Sequence, residues 1–295
     1  MPNAPNFIST PACSMETAVG AATWPSGDHV WKGQRPARQP APTAVSMLHA
    51  GVLMKLGAYG VVRLGMGLLP DGTLQWSWLV GTIACVNIVY GAFSAMAQTD
   101  LKYVIAYSSV SHMGVVMLGM ATLTEVGLNG SVFQMFAHGI MTGLFFALVG
   151  LVYEKSHSRE IFKMSGFGRM MPGIATAFTI AGLSSLGLPA TAGFVAELLT
   201  FLGAWQSSHA WWLFPGVLGA YLTSVYVLRV TKQIFWGPPS TDPHFQNLAD
   251  ARGPEWAALW ILVGTIVLFG VWPSLALGPV DTATMPLLNR LWVLQ

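Results

Sequence analysis

The segment PGIATAFTIAGLSSLGLPATAGFVAELLTFLGAW, residues 172–205, is apolar over a length that one straight membrane helix does not explain. About 20 residues cross a bilayer. This run is much longer, and Gly187, Pro189 and Gly193 interrupt it near its centre. Just beyond the interruption stands Glu197. A carboxylate in hydrocarbon is costly unless it faces protein or water, and a broken helix offers free backbone groups beside it. The pattern predicts a discontinuous membrane helix concerned with ions or protons. The plainer alternative is a permanent ion pair in which Glu197 neutralises Lys55, another charge inside an apolar run.

The rest of the chain agrees with a membrane protein. Charged residues make up 9% of it and hydrophobic residues 53%, whereas a soluble domain carries about 25% charged residues. Mean hydropathy is +0.55. A net charge of +2, dispersed along the chain, gives no footprint for nucleic acid. Cys13 and Cys85 are isolated, and the histidines from His29 to His138 lack a zinc spacing, so no metal site is expected. There is no dinucleotide or phosphate-loop pattern.

The expected fold is all-α and polytopic, because every backbone group must be satisfied inside a lipid phase. Seven apolar stretches are read at 43–69, 76–98, 103–123, 128–152, 172–205, 211–236 and 256–275. Residues 1–40 read as an atypical or disordered head, 41–275 as the transmembrane domain and 276–295 as a C-terminal tail. The basic residues sort with this count. Lys32, Arg35, Arg38, Lys102, Lys155, Arg159, Lys163, Arg169, Arg229, Lys232 and Arg252 fall on one side, and Arg290 falls on the other. The positive-inside rule then puts the head in the cytoplasm, or on the matrix side of an organelle, and the C-terminus opposite.

Lys55 lies about 12 residues into its span, roughly 18 Å along a helix and too deep to reach an interface easily. Burial acts there against any nearby carboxylate, and a group so balanced suits proton exchange. His138 is similarly central in GSVFQMFAHGIMTGLFFALVG. It reads equally as a proton carrier or as a fixed hydrogen-bond donor. His112 lies mid-span with Ser108 one turn earlier on the same face, which suggests a structural cluster. Tyr59 offers a hydroxyl or simple packing.

These residues fall in blocks that resemble a known family. APTAVSMLHAGVLMKLGAYGVVRL, AQTDLKYVIAYSSVSHMG, GLNGSVFQMFAHGIMTGLFFALVGLVYEKSHSREI and LGLPATAGFVAELL are similar, in the same order, to subunit M of proton-translocating NADH-quinone oxidoreductase, respiratory complex I. The mitochondrial equivalent is NADH dehydrogenase subunit 4. The resemblance implies the C-terminal half of an antiporter-like subunit: an eighth helix, one five-helix repeat with a discontinuous helix, and a last helix. Lys55, His138 and Glu197 match its proton-transfer positions. His112, Tyr59 and Ser108 shape the path, and Asp100 and Lys102 match a boundary motif. The resemblance implies no cofactor on this chain, with FMN, iron–sulfur clusters and quinone in partner subunits. It implies other membrane-arm subunits as neighbours. WPSGDHVWKGQRPARQPAPTA departs from the family's pattern, and the first repeat is missing, so a truncated or frame-shifted form is expected. A structural subunit that does not pump then stands as an alternative. An Mrp-type antiporter or hydrogenase membrane subunit is another, although the Mrp-type antiporter D subunit tends to carry lysine where this chain has Glu197.

Overall fold

A computed structural model describes residues 43–240, 245 and 248–293. The head read at 1–40 lies outside the described residues. The remainder is helical: α1 Thr43–Met66, α2 Pro70–Met96, α3 Leu101–Ala121, α4 Glu125–Ser156, α5 Pro172–Ser185, α6 Ala192–Gln206, α7 Leu213–Phe235, α8 Pro254–Val271 and α9 Ser274–Val293. Among the described residues, six helices are long and apolar enough to cross a membrane: α1 to α4, α7 with its preceding turn, and α8. The long segment with Glu197 is divided into α5 and α6, each too short to cross alone. The chain is a multi-pass membrane protein with one discontinuous helix.

The helix starts follow from local chemistry. Pro70, Pro172 and Pro254 each open a helix, where a missing N–H costs nothing and the ring fixes the right φ. This explains why α2 begins six residues before its expected limit at 76. Asp100 caps α3 by accepting from the Lys102 backbone N–H at 2.8 Å, and Thr124 caps α4 by accepting from Gly127. α4 ends at His157 in the left-handed region.

The centre of the bundle is α3, which is almost entirely buried. Small residues let its neighbours approach closely. A methyl at Gly91 would stand 2.6 Å from the Ser111 nitrogen, and one at Gly114 2.7 Å from Ile88. Ser111 Oγ donates to the Ile88 carbonyl at 2.8 Å across the same contact. Without a hydrophobic driving force between helices in lipid, such close packing and interhelical hydrogen bonds hold a bundle together.

Several of the described basic residues gather at one end. Asp100 pairs with Arg159 at 3.8 Å and forms an isolated bridge with Glu160. Lys155 meets Glu255 at 3.4 Å, and Arg229 lies over the Phe162 ring. Asp250 accepts from the first N–H groups of α5, as an anion at a helix N-terminus should. Asp100 and Lys102 thus stand in a tied connection at the bundle end.

The region from 276 onward, read as a tail, is mostly helix. α9 packs Leu288 and Leu291 into a cluster with Met66, Val116 and Leu128. Its Asp281 accepts from Asn129 Nδ2 at 2.9 Å, and Thr284 donates to Asn129 Oδ1. Pro279 and Pro286 inside the helix, together with several polar residues, hid it from a reading based on apolar length.

The break spans 186–191. Gly187 has φ +69° and Ala190 φ +72°. Gly187 was expected to be a breaker; Ala190 was not, and its left-handed backbone is strained for an L-residue with a Cβ. Gly193 lies inside the first turn of α6. Its lack of a side chain serves packing, since a methyl there would be 2.4 Å from the Ser184 carbonyl oxygen. Gly270 of α8 presses on the Ala190 carbonyl, so the irregular backbone is covered by protein, as the hydrocarbon region requires. Gly187→Ala should destabilise the bundle by about 1–2 kcal/mol from the positive φ alone. Thermal unfolding in detergent checks this; an unchanged transition would show that the break relaxes freely.

Candidate functional site

Four ionisable side chains from four helices meet across the bundle's middle. Lys55 comes from α1, where the hydrogen bonding widens to i→i+5 turns at His49–Leu53 and Val61–Met66 on either side of it. Such widened turns are rare and favour functional positions. The Lys55 ammonium donates to the Ala50 carbonyl within this loosened stretch. Its second contact is His138 Nδ1 at 2.6 Å.

The approach of α1 to α4 depends on a glycine pair. A methyl at Gly139 would stand 3.2 Å from the Gly51 carbonyl oxygen and 4.0 Å from the Lys55 Cε. A larger residue at Gly139 would press on the Gly51 carbonyl and on the Lys55 side chain. The sequence showed these glycines but gave no reason to pair them.

His138 is 1% exposed, and its ring lies 5.3 Å from that of His112 on α3, tilted by 46°. His112 Nδ1 then meets Glu197 Oε1 at 3.2 Å. The other Glu197 oxygen faces the break: a methyl at Gly187 would be 3.0 Å from Oε2. The order in space is Lys55, His138, His112, Glu197. Lys55 and Glu197 therefore do not form the direct ion pair entertained from the sequence; two imidazoles separate them.

The Nε2 atoms of both histidines are buried without a hydrogen-bond partner. Each imidazole turns one nitrogen to an ionisable neighbour and leaves the other unbonded. A neutral imidazole donates from one nitrogen and accepts at the other, so a ring placed this way can pass a proton across itself. Buried polar atoms without protein partners are the usual places for ordered water.

The other expected site residues are dispersed. Tyr59 is 53% exposed on the outer face of α1. Ser108 is buried but donates to the Ile105 carbonyl of its own helix at 2.8 Å. It also interacts with the Tyr226 hydroxyl, which lies 3.4 Å from Thr223. Gln134 and Thr200 were missed. Both are buried, with Gln134 Oε1 and Thr200 Oγ1 unpartnered. The available signal was spacing: Gln134 lies four residues before His138, and Thr200 three after Glu197, each one turn along the same helix face.

Residues 24–223 match the family described as "NADH:quinone oxidoreductase/Mrp antiporter, TM". The chain is 39% identical over 271 residues to an NAD(P)H-quinone oxidoreductase chain 4 of Picosynechococcus sp., covering 89% of this chain and 50% of that protein. It is 38% identical over 246 residues to NADH-quinone oxidoreductase subunit M of Rickettsia prowazekii, covering 83% and 49%. Among solved structures it is similar to a chain of respiratory complex I from Thermus thermophilus with bound NADH. The TM-score is 0.77 and the identity 31%, over 85% of this chain and 53% of that one. It shares the fold of a chain in the Mrp complex from Dietzia sp., with TM-score 0.77 and 21% identity, over 84% and 54%. The chain spans about half the length of the curated relatives it matches.

Proposed function

Because the chain belongs to the membrane-subunit family that includes NADH:quinone oxidoreductases and Mrp antiporters, we propose that it transfers protons as a membrane-arm subunit of an NADH-quinone oxidoreductase. The observation that carries this reading is the series of half-buried Lys55 and buried His138, His112 and Glu197, with contacts of 2.6 Å and 3.2 Å at its two ends. A static ion pair needs two opposite charges in contact. It does not need two imidazoles between them.

In this reading the discontinuous helix, α5 with α6, makes a seventh crossing, and α2 to α7 contain one antiporter-like five-helix repeat. The basic end faces the cytoplasm or matrix, as its Lys and Arg content favours. Protons arrive from that side, pass between Lys55 and His138, cross to His112 and reach Glu197. They leave toward the opposite side. The route needs alternation: a proton leaves Glu197 before the series reloads, and a change in a neighbouring subunit supplies the bias. NADH oxidation and quinone reduction belong to partner subunits, which hold the FMN, iron–sulfur clusters and quinone. The neighbours are other membrane-arm subunits, antiporter-like ones above all.

A structural role in the membrane arm without pumping is the second reading. An Mrp-type antiporter or hydrogenase subunit is a less favoured assignment, because the Mrp likeness carries the fold alone.

Lys55→Met separates transfer from architecture. It keeps much of the side-chain length and removes the ammonium. The rate of proton transfer through this subunit should fall by roughly a hundredfold, the scale of one lost acid–base group, and proton uptake per quinone reduced, measured in liposomes holding the assembled complex, should fall with it by this subunit's share. Normal uptake with normal assembly would remove Lys55 from the route. Failed assembly would favour the structural reading, since the change would then have cost the bundle and not the proton transfer.

A further inference from the structure

Glu197 lies inside the bundle, and the route from it to the outside is not given by the four-residue series. The helices that carry the series continue together toward the end opposite the basic residues. On α6 the face beginning at Glu197 continues through Thr200, Gly203 and Ser207. On α4 the face of His138 runs back through Gln134, Ser131, Gly127 and Thr124. On α3, His112 is followed by Gly119 and Thr122.

These three faces meet. A methyl at Gly119 would stand 2.8 Å from the Ser131 Cβ, 3.2 Å from the Thr200 Cγ2 and 2.6 Å from the Gly127 carbonyl oxygen. One at Gly203 would be 2.3 Å from the Gly127 Cα and 2.8 Å from Thr124 Oγ1. The glycines 119, 127 and 203 thus form a three-helix crossing against which the side chains of Thr122, Thr124, Ser131 and Thr200 pack. Thr200 and Ser131 stand on its Glu197 side, and Thr122 and Thr124 on the other, where their hydroxyls are 3.0 Å apart.

Beyond the crossing opens a cavity of about 630 Å³, lined in part by Thr122, Thr124, Gln206, Ser207, His209 and Trp292. On the near side the polar groups are unmet. Thr200 is 0% exposed and Gln134 2% exposed, and neither Thr200 Oγ1 nor Gln134 Oε1 has a hydrogen-bond partner. Ser131, by contrast, is satisfied by the Val116 carbonyl at 2.6 Å. A threonine hydroxyl inside a helix can bond its own preceding turn, as Thr142 does here. Thr200 forgoes that bond, with its methyl against the glycine crossing. Buried polar atoms left in this way are satisfied by water.

Resting on the reading of Glu197 as a proton carrier, we propose that Thr200 and Gln134 are positioning residues for an ordered water path. This path leads from Glu197 through the glycine crossing to the cavity at 122–124 and 206–209. The path is closed at the crossing in this structure, because Gly203 and Gly127 are in backbone contact there. A small separation of α4 from α6 at this crossing admits a water file. The crossing is therefore the outer gate of the route, with Thr200 on its inner side.

The test uses liposomes holding the assembled complex, with proton release read by a pH-sensitive dye. Thr200→Val keeps the shape and removes the hydroxyl; Thr200→Ser keeps the hydroxyl and removes the methyl. A water-positioning role predicts about a fivefold loss of proton release in Val, the factor carried by one hydrogen bond, and near-normal release in Ser. Gln134→Met should behave as Val does. A packing role predicts the reverse, with Val normal and Ser impaired, and that result would overturn the proposal. Glu197→Gln, measured alongside, separates the two levels of inference. If Glu197→Gln loses translocation while Thr200→Val and Gln134→Met do not, the exit path is wrong and the carrier role of Glu197 stands. If Glu197→Gln translocates normally, the carrier reading itself fails.

Discussion

Glu197→Gln is expected to abolish most proton translocation while leaving the bundle assembled. Glutamine occupies nearly the same volume and still hydrogen-bonds to His112 Nδ1, now 3.2 Å from Oε1, but it cannot cycle between acid and base. Loss of one positioned acid–base group costs roughly 10²–10⁴-fold, so coupled proton release should drop at least to the lower end of that range. Glu197→Asp keeps the acid and shortens its reach by one methylene. His112 then lies beyond direct contact unless α6 shifts, and an intermediate rate is expected. The measurement is protons released per quinone reduced, in liposomes, with assembly checked by native gel. Equal stoichiometry and rate in wild type, Gln and Asp would take Glu197 off the route. Equal loss in both variants with poor assembly would make it a structural residue.

That prediction was legible in outline from the sequence, for a physical reason. A charge inside an apolar run needs a compensating partner, so Lys55 and Glu197 mark themselves without any knowledge of the fold. Gly187 and Pro189 mark the break in the same way, because both oppose regular helix. In the structure Asp100 with Arg159, Lys155 with Glu255, and Arg229 over Phe162 lie at one end, while Lys32, Arg35 and Arg38 fall outside the described residues.

What joins the polar residues was not readable. His138 reaches Lys55 because Gly51 and Gly139 let two helices touch, and His112 reaches Glu197 because α6 begins just past the break. Each contact links residues more than 80 positions apart, and spacing within one helix carries no information about it. Tyr59 shows the same limit from the other side. It lies one turn beyond Lys55, close enough in sequence to suggest a shared role, yet it is exposed on the outer face of the bundle. α9 was hidden because two prolines and a polar stretch resemble a tail more than a helix, although its Asp281 and Thr284 are held by Asn129. Ala190 was hidden because alanine is ordinarily a helix former and nothing in its type signals a left-handed backbone.

The position of His112 gives the sharpest test of whether the four residues act in series. It supplies the only imidazole between His138 and Glu197 among the described residues, with 5.3 Å between the ring centres on one side and a 3.2 Å contact on the other. His112→Gln retains a donor and an acceptor but cannot take a proton at one nitrogen while releasing one from another. Translocation should fall by roughly a hundredfold, and His112→Leu should fall as far, with added instability because Glu197 loses its buried partner. The decisive variant is His112→Gln combined with Glu197→Gln. Residues that serve one route as a unit are strongly non-additive, so the double variant should be no slower than the worse single one. If the two losses instead multiply, His112 and Glu197 act on separate steps or separate routes, and the linear series is wrong. If His112→Gln translocates at the wild-type rate, the imidazole is a spacer, and protons reach Glu197 through water alone. Comparing proton release in H₂O and D₂O for the single variants adds a readout that a packing defect would not change: a variant in which proton transfer has become rate-limiting should show a larger isotope effect than wild type.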